Sequence, residues 1–217
     1  MPTTRRRFAA SLPALALGPT LLTRNVAAQS ASPVASPVAA PGSVPMFHVD
    51  PAHTGKNPGP GPIANPTVLW NVETGGHRSS PAVVDGTVYA GDLEGILHAF
   101  DAADGTERWR FEVGGYVGTP AIINDIVIAS GGGGVLFALS AADGTELWNA
   151  TSGAPSLFSD GTISDGVLYL NGYSGSVFAL DPATGDLIWE YVTGARNWIA
   201  PAVADGIVFA RSDDGVL

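Results

Sequence analysis

Four tryptophans recur at nearly equal intervals along the chain. Trp70, Trp109, Trp148 and Trp189 are separated by 39, 39 and 41 residues. The last three close similar stretches of sequence: ILHAFDAADGTERW at 96–109, VLFALSAADGTELW at 135–148 and SVFALDPATGDLIW at 176–189. A period near 40 residues is typical of repeat architectures, in which each repeat forms one structural unit. The chain is therefore predicted to be a repeat protein.

The repeats are predicted to consist of short strands, because valine, isoleucine, tyrosine and phenylalanine dominate them and turn signals recur at short spacing. The repeat at 79–115 divides into strands at 79–84, 87–91, 96–101 and 107–113. Asp-Gly pairs at 85–86, 165–166 and 205–206 predict two-residue hairpin turns, and Asn124-Asp125 takes the same place in the second repeat. Each repeat is therefore predicted to form a four-stranded antiparallel sheet.

Four-stranded units at this period predict an all-β fold, a β-propeller in which each unit is one blade. A two-sheet sandwich would explain the turn spacing but not the matching tryptophans and glycines. We expect about three full blades, an outer strand at 67–74 before them, and the first two strands of a fourth blade at 200–210. This count favours a propeller truncated at the C-terminus. The alternative is a four-blade ring that closes by pairing 67–74 with the final strands.

The N-terminal residues are predicted to lie outside the fold. Residues 5–8 read RRRF, a twin-arginine pattern, and small residues follow the apolar run at 9–22. Such signals direct export in bacteria. The alternative is a transmembrane helix, but a run of this length interrupted by proline is too short to span a bilayer. We therefore predict a signal peptide at 1–28, an Ala/Ser/Pro-rich linker at 29–46, an irregular lead-in at 47–66 and propeller repeats at 67–217.

Charge and cysteine content exclude several functions. The chain has 20 acidic and 10 basic residues, and four of the basic residues precede Ala28. This acidic balance argues against nucleic acid as a partner, because binding to phosphates requires clustered lysine and arginine. The chain has no cysteine, so it can form neither disulfides nor thiolate metal sites. His48 and His53 form a candidate metal pair, but two histidines without a third ligand are more often packing residues.

The stretch ALDPATGDLIW at 179–189 resembles the A-x-D-x-x-T-G-x-x-x-W tryptophan-docking motif of the pyrroloquinoline quinone (PQQ) repeat family. The copy at 99–109 has Asp104 at the usual threonine position, and the copy at 138–148 has Ser140 and Asp143 in place of aspartate and threonine. The resemblance implies a structural docking role for seven residues: Trp70, Trp109, Trp148, Trp189, Gly105, Gly144 and Gly185.

The same resemblance implies two kinds of function. The family includes quinoprotein alcohol and sugar dehydrogenases, which bind PQQ and Ca²⁺ near the propeller axis, and non-catalytic relatives that include lipoproteins of outer-membrane barrel assembly. Many alcohol-oxidising members carry an adjacent cysteine pair beside the cofactor, and this chain has no cysteine. No catalytic aspartate or calcium-ligand set is recognisable in its family context. The resemblance alone does not supply the chemistry.

One rim of the propeller is the candidate binding surface. The loops between blades are predicted to share this rim with the turns between second and third strands. Its candidate residues are His77, Arg78, Tyr116, Phe158, Arg196, Asn197 and Trp198. Aromatic and arginine side chains near a propeller opening are those that a protein, peptide or glycan partner would contact. The alternative is that these side chains fill the inner ends of the blades.

These observations favour an exported, non-catalytic propeller that acts as a protein- or ligand-binding scaffold in the cell envelope, periplasm or extracellular space. No cofactor or metal site is evident. The first alternative is the N-terminal part of a PQQ- and Ca²⁺-dependent dehydrogenase whose catalytic residues lie outside this sequence. The second alternative is a carbohydrate-binding propeller. No nucleic-acid partner and no membrane span after signal removal are expected.

Overall fold

Two-residue turns fix the register of the first hairpin in each repeat. In the computed structural model, which describes residues 44–46, 48, 50–54, 67–76, 79–151, 160–197 and 199–215, Asp85 and Gly86 have φ angles of 47° and 72°. The pairs Asp165-Gly166, Asp205-Gly206 and Asn124-Asp125 share these positive values. Positive φ at both central residues is the requirement of a type I′ turn. The hairpin turns predicted from the sequence are therefore confirmed.

The described residues form fourteen strands and no helix. The strands are β1 (Ala82–Val84), β2 (Thr87–Gly91), β3 (Ile96–Asp101), β4 (Glu107–Glu112), β5 (Ala121–Ile123), β6 (Ile126–Gly131), β7 (Val135–Ser140), β8 (Glu146–Thr151), β9 (Thr162–Ser164), β10 (Val167–Gly172), β11 (Ser176–Leu180), β12 (Leu187–Val192), β13 (Ala202–Ala204) and β14 (Ile207–Phe209). Consecutive strands pair antiparallel into sheets β1–β4, β5–β8, β9–β12 and β13–β14. The fold-class prediction is confirmed: the chain forms a partial β-propeller with three four-stranded blades and the first two strands of a fourth.

An alanine in each third strand makes room for the tryptophan of the fourth. Ala99 pairs with Trp109, and Ala138 and Ala179 pair with Trp148 and Trp189 in the same way. All three alanines are fully buried. The pairing register shifts immediately after each alanine, as at a β-bulge. Bulges increase the local twist of a strand and redirect its side chains.

Apolar side chains fill the space between neighbouring blades. Leu97 and Trp109 of the first blade pack in one buried cluster with Val127 and Leu139 of the second. A second cluster joins the second and third blades through residues that include Leu136, Ile163, Leu168 and Leu170. A sheet with apolar side chains on both faces must be covered on both, so stacking of blades is the arrangement that buries them.

The first strands of successive blades converge. β1 contacts β5, β5 contacts β9, and β9 contacts β13. Each of these strands pairs on one side only with a strand of its own blade. Their other edges therefore form the inner edge of the blades. Backbone groups along a strand edge need partners from elsewhere.

The predicted outer strand at 67–74 is wrong. The structure assigns no strand to these residues, and the side chain of Val68 is 84% exposed. A strand requires a neighbouring strand for its backbone hydrogen bonds, and no described strand pairs with this segment. The segment is instead attached to the first blade through Trp70. The ring closure considered above, in which 67–74 pairs with the final strands, is therefore not present among the described residues.

Candidate functional site

Each of the first three repeat tryptophans contacts the turn of the next repeat. The indole Nε1 of Trp109 donates to the carbonyl oxygen of Ala141 at 2.9 Å. Its ring covers Gly144, where an added Cβ would lie 2.7 Å from Cε3 of the indole. Trp70 contacts Ala102 and Gly105, and Trp148 contacts Pro182 and Gly185, with the same geometry. A buried indole requires an acceptor for its N–H, and the turn supplies one.

Trp189 occupies the corresponding position on β12 but has different surroundings. Its side chain is 38% exposed, whereas that of Trp109 is 8% exposed. Its ring lies 6.0 Å from the ring of Tyr169 within its own blade. No described residue accepts a hydrogen bond from its indole N–H. Among the described residues, no glycine turn covers Trp189 as such turns cover Trp109 and Trp148.

A segment before the repeats crosses the inner edge of the blades; we call residues 44–46, 48 and 50–54 the inner strap. Val44 and Val83 exchange backbone hydrogen bonds at the edge of β1. The amides of Ile122 and Val203, at the equivalent places in β5 and β13, donate to Pro45 and Pro51. The inner strap therefore satisfies backbone groups that these edge strands would otherwise expose.

Side chains also hold the inner strap. Met46 is buried in the cluster between the second and third blades. Nε2 of His53 lies 3.0 Å from Oγ1 of Thr162, whose hydroxyl donates to the carbonyl of Pro201 at 2.6 Å. Burial, followed by the nearby His48, lowers the pKa of His53. This environment favours a neutral imidazole that anchors the segment.

A row of polar groups links the residues that precede the first strands. The amide of Ser80 donates to Oγ1 of Thr119, and the amide of Thr119 donates to Oδ1 of Asp160 at 2.7 Å. These three residues stand two positions before β1, β5 and β9 respectively. Burial raises the pKa of Asp160, although its hydrogen bonds with Thr119 oppose the effect. The row connects blades along their inner ends.

Three of the seven candidate rim residues lie within the described residues. Tyr116 is 40% exposed in the loop after β4. The guanidinium of Arg196 lies 4.8 Å from the centre of the Tyr173 ring, in cation–π geometry. The remaining candidates, His77, Arg78, Phe158 and Trp198, lie outside the described residues. Tyr116 and Arg196 are thus exposed in the loops that follow the first and the third blade.

Asn197 has a structural role and is not exposed on the rim. Its side chain is buried. In the orientation that satisfies its neighbours, its amide nitrogen donates to the carbonyls of Arg196 and Arg211 at 3.1 and 2.9 Å, and its oxygen accepts from Thr193. It therefore joins the loop after β12 to the segment after β14. Asn197 therefore holds the loop of Arg196 in place and is not itself an exposed contact residue.

Asp92 caps the turn between β2 and β3, at the rim end of the first blade. Its buried carboxylate accepts from the amides of Ile96 at 2.8 Å and Glu94 at 3.0 Å, and of Gly75 at 3.3 Å. Nε2 of His98 lies 3.2 Å away. Burial alone would raise the pKa of this carboxyl, but the hydrogen bonds from Ile96, His98 and Gly75 outweigh it and lower the pKa. A lowered pKa means that the folded state favours the carboxylate.

We expect Asp92→Asn to destabilise the fold by about 1–3 kcal/mol at pH 7, because the new amide nitrogen faces donors instead of accepting from them. The lowered pKa gives a stabilisation that is fully present above about pH 4 and is lost as pH falls through the folded-state pKa. The difference from wild type should therefore shrink near pH 3 in urea denaturation. Asp186→Asn, at an exposed position, is the matched control and should change stability by less than about 0.5 kcal/mol. A difference that is independent of pH would contradict this role of Asp92.

The family of the chain follows from its repeats. A family model described as outer membrane protein assembly factor BamB matches residues 63–215. The match covers more than half of the 217 residues and includes all four repeat tryptophans. The chain belongs to this family. The resemblance to PQQ-like repeat propellers is thereby confirmed.

Three solved structures share the fold of this chain at low sequence identity. BamB from Moraxella catarrhalis is 22% identical with a TM-score of 0.56, over 62% of this chain and 46% of that one. The quinohemoprotein alcohol dehydrogenase from Comamonas testosteroni is 22% identical with a TM-score of 0.58, over 69% of this chain and 27% of that one. The computationally designed Ika4 protein is 20% identical with a TM-score of 0.60, over 70% and 95%. The chain thus spans less than half the length of the BamB structure and about a quarter of the dehydrogenase.

No curated protein matches the chain. Within the described ranges, no three histidine, aspartate or glutamate side chains gather in a way that could hold a metal ion. Among the same residues, no helix has the length and apolarity needed to cross a bilayer.

Sequence reasoning missed the inner strap and the function of Asp92. The linker prediction extends to residue 46, yet Val44, Pro45 and Met46 contact the blades. Val44 and Pro45 make these contacts through backbone groups, which cannot be recognised from the type of side chain. The sequence places Asp92 in a turn beside the rim and favours turn chemistry over a calcium loop for residues 92–95, but it does not predict that the carboxylate is buried among several donors. Its position four residues before Ile96, at a turn that ends in a glycine, is the available clue that the carboxylate caps the turn.

Proposed function

We propose that this chain is an exported, non-catalytic propeller that binds a protein partner in the cell envelope through the rim around Tyr116 and Arg196. The observation that carries the proposal is the inner strap. Its backbone occupies the inner edges of β1, β5 and β13, and Met46 is buried beneath it. In the dehydrogenase interpretation, the region near the propeller axis holds PQQ and Ca²⁺. In this chain the inner strap lies along the inner strand edges, which supports a scaffold.

The described inner residues do not fit a PQQ–calcium centre. Calcium takes six to eight oxygen ligands, with carboxylates prominent among them. The side chains at the inner edge include Met46, His53 and Thr162. The carboxylates nearby already accept hydrogen bonds from the protein, Asp50 from Thr54 and Asp160 from Thr119. A scaffold explains these residues better than a cofactor site.

The rim supports a protein partner through its chemistry. Tyr116 offers an exposed aromatic ring, and Arg196 is held over Tyr173. Tyrosine and arginine are enriched among residues that dominate binding energy at protein interfaces. The related BamB proteins are described as assembly factors for outer membrane proteins. We extend to this chain only the class of partner, a protein of the envelope.

Export is part of the proposal. It depends on the twin-arginine pattern at residues 5–8 and the small residues at 26–28, which lie outside the described residues. The acidic composition of the remaining chain agrees with a soluble exported protein. The expected result is that a fusion to a reporter active only after twin-arginine export is active, and that replacing Arg5, Arg6 and Arg7 by lysine abolishes this activity.

The rim is tested by site-specific crosslinking in cells. A photoreactive residue at position 116 is expected to form one discrete crosslinked product, and the same residue at Asn124 none. Asn124 is the matched control because it is exposed on the opposite rim, in the turn between β5 and β6. In parallel, purified protein is mixed with PQQ and Ca²⁺ and assayed for dye reduction with alcohols and sugars. Equal crosslinking at both positions, or stoichiometric cofactor binding with turnover, would overturn the proposal.

A further inference from the structure

One end of the inner strap is attached to the blades by groups that do not titrate near neutral pH. Val44 exchanges backbone hydrogen bonds with Val83. The carbonyl oxygen of Pro45 accepts from the amide of Ile122 at 2.8 Å. Met46 is buried between the second and third blades. Backbone hydrogen bonds and apolar burial do not respond to mild changes of pH, so these residues form the fixed end of the strap.

The other end of the strap, at 48 and 50–54, is a compact turn that carries two histidines. The amide of Asp50 donates to the carbonyl of His48, and the amide of His53 donates to the carbonyl of Asp50, both at 2.9 Å. His48 and His53 have φ angles of 58° and 54°. Such left-handed values are uncommon for residues other than glycine and persist where the surrounding structure holds them. The conformation of this turn therefore depends on its contacts with the blades.

A hydrogen-bond relay fixes the tautomer in which His53 docks. Nε2 of His53 lies 3.0 Å from Oγ1 of Thr162, and the hydroxyl of Thr162 donates to the carbonyl of Pro201 at 2.6 Å. A hydroxyl has one proton to donate. The Thr162 oxygen therefore accepts from His53, so Nε2 carries the proton of the neutral ring. A second proton enters at Nδ1 and gives the ring a positive charge.

The surroundings of His53 oppose that charge. The ring is half-buried, and its centre lies 5.7 Å from that of the His48 ring. Burial, followed by His48, lowers the pKa of His53, and the carboxylate of Asp50 opposes this effect without reversing it. On the blade side the ring meets the uncharged hydroxyl of Thr162, and Asp160, two residues earlier in the chain, does not contribute to the pKa of His53. The docked state therefore favours the neutral ring.

We infer that the inner strap is a pH-dependent latch: its His53 end is docked while the imidazole is neutral and detaches when the imidazole is protonated, and its fixed end stays bound. The ordinary pKa of histidine is 6.5 and the docked value is lower. Docking is therefore strongest above about pH 6.5 and weakens as the pH falls towards the docked-state value. Because one proton is bound, the docking equilibrium falls by at most about tenfold for each pH unit. Detachment uncovers the amide of Val203, which donates to Pro51, on the inner edge of β13.

The carboxyls near the strap act in a different pH range or in the opposite direction. Burial alone would raise the pKa of Asp50, but its hydrogen bonds from Thr54 outweigh burial and lower it. The contribution of Asp50 is therefore lost only below about pH 4. Burial raises the pKa of Asp160, and a carboxyl with a raised pKa favours the folded state as the pH falls. A loss of docking between about pH 6.5 and pH 5 is thus the effect expected of His53.

Amide hydrogen exchange of the full chain tests the latch. Protection is compared at about pH 7.5 and about pH 5, after correction for the intrinsic effect of pH on exchange. Protection of the Val203 amide is expected to fall at least about threefold at the lower pH, whereas that of the Val83 amide, which donates to Val44 at the fixed end, should change by less than about twofold. Nitrogen chemical shifts of His53 should show the Nε2–H tautomer at the higher pH.

His53→Gln is the matched variant. Its side-chain amide can still donate to Thr162 but does not titrate. The Val203 amide of this variant is therefore expected to keep the same protection at both pH values.

Three outcomes would overturn the inference: protection of Val203 that is the same at both pH values in the wild type, an equal loss in His53→Gln, or an equal loss at Val83, which would indicate opening of the whole strap. If His53→Gln does not fold, the wild-type protein still decides, because an Nδ1–H tautomer or a parallel loss at Val83 contradicts the latch. The measurement concerns the strap and not the rim, so none of these outcomes bears on the crosslinking at Tyr116.

Discussion

Replacing Trp109 by alanine is expected to lower the free energy of unfolding by about 3–5 kcal/mol, the range for removing a large buried aromatic side chain. The indole fills the space between the first and second blades, donates to Ala141 and packs against Tyr89. Its removal leaves a cavity at the interface and a carbonyl without its donor. Total stabilities of domains are only about 5–15 kcal/mol. The variant is therefore expected to lose much of its cooperative unfolding transition.

Trp189→Ala is the internal control for this prediction. The motif, the strand and the alanine opposite are the same, but the ring is partly exposed and its N–H has no described acceptor. Its replacement should cost less than about 1 kcal/mol. Urea denaturation followed by circular dichroism compares the two variants. Equal losses in both would show that the tryptophans act within their own blades and not between blades.

The comparison of Trp109→Ala with Trp189→Ala separates two contributions of the motif tryptophan to stability, one within its own blade and one between blades. Within a blade, tryptophan pairs with alanine on the third strand, and all three complete blades have this pairing. Between blades, the same indole contacts the next glycine turn, and among the described residues this contact is seen for Trp70, Trp109 and Trp148. In repeat proteins, stability is approximately the sum of the units and of their nearest-neighbour interfaces. The difference between the two variants therefore measures one interface.

The blades could be predicted from the sequence because their determinants are local. The Asp85-Gly86 turn sets the hairpin register through its own φ angles, and alternating apolar residues define β2 and β3. The repetition of these signals at a fixed period identified the propeller. The segment 67–74 has similar composition, but no described strand pairs with it, so the prediction of a strand was wrong there. Pairing partners are a tertiary property that composition does not encode.

The candidate site could be predicted only in part. The loops that carry Tyr116 and Arg196 follow from the strand order, so their exposure at blade ends was predictable in outline. The sequence places Asn197 on the rim because it lies in a loop between blades, but its side chain is buried and bridges two loops. The inner strap could not be foreseen because Pro45 and Pro51 act through backbone carbonyls. A proline-rich sequence predicts a linker whether or not its carbonyl oxygens accept hydrogen bonds from backbone amides.

The glycine under the indole should be as sensitive as the indole itself. We expect Gly144→Ala to destabilise the fold by about 2–5 kcal/mol through two effects. The residue has a φ of 73°, which costs an L-amino acid about 1–2 kcal/mol. In addition, the new Cβ would lie 2.7 Å from the Trp109 ring and push it out of its packed position, which adds about 1–3 kcal/mol.

Gly86→Ala isolates the first of these effects. Gly86 has nearly the same φ, 72°, but nothing lies within 4 Å of an added Cβ. It should therefore cost only the backbone term of about 1–2 kcal/mol. A double variant of Gly144→Ala with Trp109→Ala should be clearly less destabilised than the sum of the single variants, since removing the ring removes the collision. If the two glycine variants lose equal stability, or if the double variant is additive, then contact between tryptophan and glycine does not stabilise the stacking of blades.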